Sequence, residues 1–435
     1  MIRASIFNRQ VFAWALYDWG NSAFALSVLA GLFPVFLGIY WSMGDAGPAV
    51  TARLALVTSS AAAVVAVLAP VLGAIADSGG FRKRFLFVLA VLGAVTTAGL
   101  SLIGEGGWLW ALPLFMVASI GFYCANVFYD SLIVDVSDPR YYSLVSSLGF
   151  SLGYIGGASL LALHVWMLRI PEAFGFSDIV QVFKFAFLSV GIWWIVFLMP
   201  LMLIVRETRS AAVVATSTVR RAYHALLETF REIRKYRNVL TFLIAYWLYI
   251  DGVFTVIVMA VNFGQRLGFS STDLVTALLI TNFVGFPATL AYGALGHYCG
   301  EKRALYLGIV VYIGVACWAV FLDDVRQFYA MVITIGLVQG GVQGMSRALY
   351  ASLIPPDKSG EFFGFYNMLT NFARILGPLL VLVVALLTDE PKFILAALLP
   401  VFIAGGLVLT RVETNWGRTR GVRPHSTSEI GDGGS

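Results

Sequence analysis

Charge is what this 435-residue chain has least of: Asp, Glu, Lys and Arg make up 12% of it, against 59% apolar residues. A soluble domain carries about 25% charged residues, so a water-soluble globular fold is excluded. Cysteine is scarce as well. Cys124, Cys299 and Cys317 show neither disulfide-framework spacing nor metal-ligand spacing, and they read as packing residues. His164, alone near a helix end, reads the same way. Nucleotide-binding glycine loops and a nucleophile beside a base are missing, which leaves neither an enzyme nor a primary pump with support and requires no cofactor and no metal. The N-terminus lacks a short apolar core followed by a small-residue cleavage site, so the first apolar run is expected to remain as a membrane helix.

Long apolar runs take the place of charge, and mean hydropathy is +0.84. Crossing a bilayer takes about 20 apolar residues. Twelve runs qualify, near residues 11–41, 53–76, 85–103, 108–136, 143–168, 181–205, 239–264, 273–296, 304–322, 327–354, 362–388 and 392–411. They are continuously apolar rather than alternating, which excludes a transmembrane barrel. Trp14, Trp41, Trp108, Trp110, Trp166 and Trp416 stand near run ends, where indoles anchor at the headgroup level. The expected fold class is an all-α membrane protein of twelve transmembrane helices.

Basic residues orient the spans. With the N-terminus in the cytoplasm, 21 of the 29 Lys and Arg fall in inner segments and 6 in outer loops, with Arg347 and Arg374 inside spans. The positive-inside rule then puts both termini in the cytoplasm of what is expected to be a bacterial inner membrane, and the net charge of +5 needs no nucleic-acid partner. The longest connection divides the spans six and six. The expected domains are a first bundle over 1–205, a cytoplasmic linker over 206–238, a second bundle over 239–411 and a tail over 412–435, disordered from Gly417. In the linker, Leu226, Phe230 and Ile233 share a helical face, as in a helix lying on an anionic leaflet.

The two halves echo each other. GAIADSGGFRKR begins at Gly73 and GALGHYCGEKR at Gly293; YDSLI begins at Tyr129 and YASLI at Tyr350. Matches at shifts of 220 and 221, each at the end of a corresponding span, indicate a duplicated six-helix unit. Parallel duplicated halves place a transporter's binding site between them near the bilayer midplane.

The G-x-x-x-D-x-x-G-x-R-K pattern from Gly73 resembles the signature loop of the major facilitator superfamily. That resemblance implies its fold, two six-helix pseudo-repeated bundles, and a cytoplasmic latch built from Gly73, Asp77, Gly80, Arg82 and Lys83. Asp77 would meet the start of span eleven, Gly73 would permit close packing, and Arg82 and Lys83 would face acidic partners or headgroups. His297 stands where the second copy would repeat Asp77, which puts a second latch in doubt. YDWGNSAF, FYDSLIVDV, KYRNVLTFLIAYWLYIDG and QGMSRALYASLIP resemble a narrower branch, the bacterial permeases similar to fungal autophagy-associated vacuolar effluxers. Those effluxers are credited with moving amino acids out of the vacuole, so the branch implies amino acids as a candidate substrate class.

Intramembrane charge marks candidate sites, because an ionisable side chain in a span costs at least about 2.5 to 3.5 kcal/mol and usually faces other helices, a partner or water. Asp18, Asp130, Asp251 and Arg347 lie in spans one, four, seven and ten. Helical spacing gathers Asp18, Asn21 and Ser22; Asn126 and Asp130; Gln339, Gln343 and Arg347; and Asn371 and Arg374, with Asn367. These polar stripes are the expected substrate-binding or gating residues. Asp18 is expected to pair with Arg347 about 10 Å from the inner surface, and Asp251, deeper and without a basic neighbour in sequence, to carry a coupling proton. The expected protein is a monomeric secondary transporter of a small polar solute. A proton-coupled drug or sugar exporter and a non-transporting receptor or assembly protein stay open as alternatives.

Overall fold

The computed structural model describes residues 8–207, 236–266, 271–322, 324–373, 380, 381, 383, 387 and 393–414. Among these residues the chain is helical, without strands. The helices are α1 (Arg9–Trp41), α2 (Gly47–Gly79), α3 (Arg82–Gly99), α4 (Trp108–Ser131), α5 (Tyr142–Arg169) and α6 (Ile179–Ile204). After the linker follow α7 (Arg237–Arg266), α8 (Ser271–Cys299), α9 (Glu301–Ala319), α10 (Val325–Leu353), α11 (Ser359–Phe372) and α12 (Leu399–Thr410). Ten spans among the described residues are long and apolar enough to cross a membrane. The linker helix expected around Leu226, Arg374 and the tail from residue 415 lie outside the described residues.

Local chemistry fixes the helix ends. The Asn8 side chain accepts the Val11 N–H at 2.9 Å at the start of α1, and Asp178 does the same for Gln181 at the start of α6. In α1 the α-helical ladder runs to Ala23 and then widens to π-type bonding, with the Phe33 N–H on the Val28 carbonyl. Pro34, which has no N–H to give, lies just beyond.

Apolar side chains face outward. Leu56, Val67 and Leu203 are 70%, 67% and 82% exposed, whereas Asp18, Asp130, Asp251 and Arg347 are buried. Such an inverted surface is stable in lipid, where an apolar side chain loses nothing by exposure. This is a multi-pass integral membrane protein.

Packing follows the duplication. In the first six helices, α1 lies against α5 and α6, α3 against α4 and α6, and α2 against α4. In the last six, α8 and α9 lie against α10, and α12 against α7 and α9. The halves meet where α2 packs on α11 and α5 packs on α8 and α10. The second helix of each half thus abuts the fifth of the other. Glycine makes both approaches possible: a Cβ on Gly73 would stand 2.3 Å from the Gly360 carbonyl oxygen, and one on Gly293 would stand 2.7 Å from Ser147 Cβ. The turn after each second helix also matches, with Gly80 at φ +63° and Gly300 at φ +95°, in a region L-residues with a side chain rarely enter.

Candidate substrate cavity

The described termini share one end of the bundle, where the Arg206 N–H reaches the Gln10 side chain at 3.0 Å and the Asn238 amide reaches the Glu413 carbonyl at 2.7 Å. A cavity of ≈ 330 Å³ lies between the halves, within the size range of small-molecule sites. Its lining runs from Asp18 to Leu29 on α1, from Leu274 to Asn282 on α8 and from Phe328 to Arg347 on α10, so it extends away from the terminal end. Its walls are largely apolar. Its floor is polar.

Arg347 on α10 organises that floor. Its Nη1 donates to Asp130 Oδ1 on α4 at 2.8 Å, and Asp18 Oδ2 on α1 lies 3.7 Å from the same nitrogen. Arg347 Nε donates to Ser146 Oγ and Nη2 to the Ser146 carbonyl, both at 2.9 Å. Asp130 Oδ2 accepts the Asn367 amide from α11 at 3.0 Å, and Asp18 Oδ2 accepts the Tyr129 hydroxyl at 2.8 Å. The guanidinium carbon also stands 4.2 Å from the Phe150 ring centre, 4.9 Å from Trp14 and 5.3 Å from Tyr129, distances at which a cation is drawn to a ring face. Five helices from both halves therefore converge on one charge cluster.

The structure brings most of the expected residues here. Asn21 donates to Asn126 Oδ1 at 2.7 Å, Gln343 contacts the Tyr154 hydroxyl at 3.4 Å, and Asn371 donates to the Asn367 carbonyl at 2.9 Å. Ser22 and Gln339 line the same space. One expectation shifts. Asp130 is nearer to Arg347 than Asp18 is, because α4 presents it directly opposite Nη1. Asp251 is fully buried in α7 and does not line the cavity, whose α7 wall is Tyr246, Phe254 and Ile257. His164 is buried, with Nε2 2.9 Å from the Ser189 hydroxyl between α5 and α6.

A second polar cluster joins the halves nearer the terminal end. Asp77 accepts the backbone N–H groups of Gly360 at 3.1 Å and Glu361 at 2.7 Å, the first turn of α11. Arg82 lies 3.0 Å from Asp135, 3.3 Å from Glu207 and 3.7 Å from Asp77, and donates to the Ser359 hydroxyl. Lys83 donates to the carbonyls of Met202, at 3.0 Å, and of Val205, closing the C-terminal turn of α6. The second copy has no carboxylate at this place; His297 Nδ1 stands 3.2 Å from the Arg140 carbonyl and its ring stacks on Tyr141.

Sequence reasoning missed Trp14, Tyr129, Ser146, Phe150 and Tyr154, all of which shape the floor. Tyr129 alone carried a signal, as the repeat partner of Tyr350. Trp14, expected at the headgroup level, is fully buried and stacked on the Tyr129 ring, whereas the other aromatic residues and the serine look like ordinary core until the helices are assembled.

Among known proteins, the family described as vacuole effluxer Atg22 like matches this chain over residues 46–140 and 134–421. The chain is similar to the uncharacterized MFS-type transporter YxiO of Bacillus subtilis (strain 168), 36% identical over 409 residues that cover 93% of this chain and 95% of the relative. Its fold is similar to that of the human organic anion transporter MFSD10 (TETRAN), with a TM-score of 0.73, 15% identity and coverage of 92% and 99% of the two chains. It is also similar to the major facilitator superfamily proton:xylose symporter XylE, with a TM-score of 0.71, 13% identity and coverage of 93% and 94%. At such identities the likeness carries the fold and not the substrate.

Proposed function

Because the chain belongs to the vacuole effluxer Atg22-like family of major facilitator transporters, we propose that it moves a small polar solute of the amino-acid class across the membrane by alternating access, coupled to protons. The observation that carries this reading is the convergence of Asp18, Asp130 and Arg347, from both halves, on the floor of a cavity in an otherwise apolar bundle. A membrane protein keeps three buried charges where a solute or ion must pass. Among the contacts made across the halves at the terminal end, the polar ones of Asp77 with Gly360 and Glu361 and of Arg82 with Ser359 can be exchanged for water as one half rocks against the other and admits solute from that side. With the termini in the cytoplasm, as the basic residues indicate, this arrangement is the outward-facing one. The relative from Bacillus supports residence in a bacterial cytoplasmic membrane.

The test is counterflow. Purified protein in proteoliposomes loaded with unlabelled amino acids should accumulate the labelled counterpart transiently, and an imposed pH gradient should change the extent. A panel of amino acids, amines, sugars and nucleosides giving neither counterflow nor a thermal shift of the purified protein would overturn the reading.

A further inference from the structure

The three charges on the cavity floor do not cancel: two carboxylates face one guanidinium. Arg347 is fully engaged by Asp130, both acceptors of Ser146 and three aromatic rings, and it is 2% exposed. Asp130 is satisfied at both oxygens, by Arg347 and Asn367. Asp18 is served less well. Its Oδ2 accepts from Tyr129 and stands 3.7 Å from Arg347, and its Oδ1 accepts no hydrogen bond from any described residue. Other charged or titratable groups facing Asp18 are Tyr129 and Asp130 from α4, Tyr154 from α5 and Arg347 from α10, with Tyr17 beside it on α1. From α6, packed on the same stretch, come the indoles of Trp193 and Trp194. Asp18 therefore carries the uncompensated negative charge, and it borders the cavity. A carboxylate withdrawn from water needs a proton or a cation.

We infer that Asp18 is a cation-exchange site, holding a proton when the cavity is empty and releasing it when the ammonium group of a cationic solute, a basic amino acid or an alkyl amine, takes its place. The inference rests on the transport reading above and narrows its substrate class. In the exchange the Asp18 O–H bond breaks, the proton passes to cavity water, and the ammonium N–H groups donate to the freed carboxylate; no covalent bond to the solute forms. The floor is neutral before and after. A zwitterion would bring its own carboxylate and leave the floor one negative charge in excess, and Arg347, closed in by Ser146 and the rings, would have to abandon Asp130 to receive that carboxylate. Among amino acids the basic ones are thus preferred. Proton and solute compete for one site, so they cross the membrane in opposite directions.

The test uses purified full-length protein in a weakly buffered detergent solution with a pH-indicator dye, titrated with L-lysine, butylammonium, L-leucine or NaCl while calorimetry follows binding. The expected result is close to one proton released per lysine or butylammonium bound, with apparent affinity falling about tenfold per pH unit on the acid side of the midpoint. Asp18→Asn should release no proton. Should that variant fail to fold, Tyr129→Phe keeps the carboxylate but removes its hydrogen bond, and it should move the midpoint while keeping one proton per lysine. Amine binding without proton release, release provoked by NaCl alone, tighter binding of leucine than of lysine, or loss of release in Asp251→Asn but not in Asp18→Asn would each overturn the inference and leave the transport reading standing. No binding of any amino acid or amine, together with no counterflow, would remove both.

Discussion

The Glu361 backbone N–H donates to Asp77 Oδ2 at 2.7 Å, tying the end of α2 to the first turn of α11 across the two halves. With the Gly360 N–H on the other oxygen, the carboxylate sits where a helix leaves its N–H groups unpaired and where the helix dipole favours negative charge. Asp77→Asn removes the charge and one acceptor. A loss of about 0.3 to 2 kcal/mol tilts a balanced conformational equilibrium by roughly two- to thirtyfold toward the state with the terminal end open. Ser143, buried on α5 at that end, reports it: a Cys at 143 in a cysteine-free background should react faster with a thiol reagent in the Asp77→Asn variant. An unchanged rate would mean that the loop sets topology alone.

Gly73→Ala should act in the same direction for a steric reason. The new methyl would meet the Gly360 carbonyl oxygen at 2.3 Å and carbon at 2.8 Å, backbone atoms that cannot rotate away. Overpacking of this kind costs about 1 to 3 kcal/mol. Gly293→Ala, the repeat counterpart, meets Ser147 Cβ at 2.7 Å and Oγ at 2.9 Å; the hydroxyl can turn aside and the Cβ cannot, which leaves an overlap smaller than the one at Gly73. Labelling at position 143 should therefore rise more in Gly73→Ala than in Gly293→Ala.

Two levels of the sequence were legible for different reasons. Span number and membrane residence followed from solvation alone, since twenty consecutive apolar residues have few other destinations. The Gly73 and Gly293 loops exposed the duplication because a left-handed turn and a close helix approach each demand one residue type, in both copies. Asp18, Asp130 and Arg347 stood out because charge in a span is costly. Which carboxylate lies nearer the guanidinium was not legible, since helical spacing gives each side chain a face but leaves the relative height of two helices open. The same gap hid Ser146, Phe150 and Trp14.

Arg347→Lys keeps the charge and should still lose most transport. The guanidinium donates from three nitrogens to Asp130 and Ser146 while lying against the Phe150 and Trp14 rings. An ammonium group is a compact, strongly hydrated point charge that cannot reproduce that planar set. Counterflow in proteoliposomes should fall at least about tenfold, which a loss of about 1.4 kcal/mol in productive binding suffices to produce. Wild-type rates in this variant would show that the floor needs only a positive charge.

The two aspartates should respond oppositely to the same mutation. Asp130 makes the 2.8 Å contact to Arg347 and also satisfies Asn367, so Asp130→Asn weakens a buried pair and disturbs the α4–α11 contact. Removing one partner of such a pair costs about 3 to 5 kcal/mol when nothing replaces it, and Asp18, at 3.7 Å, replaces it only in part. Asp18→Asn leaves the shorter pair whole and stands in for the protonated carboxyl of the empty cavity, since the Asn carbonyl can still accept the Tyr129 hydroxyl. In detergent, Asp130→Asn should lower the melting temperature, and Asp18→Asn should hold or raise it although transport is lost. Equal destabilisation by the two substitutions would mean that Arg347 divides its charge evenly between them, and Asp18 would then have none of the surplus that exchange of a proton for a cation requires.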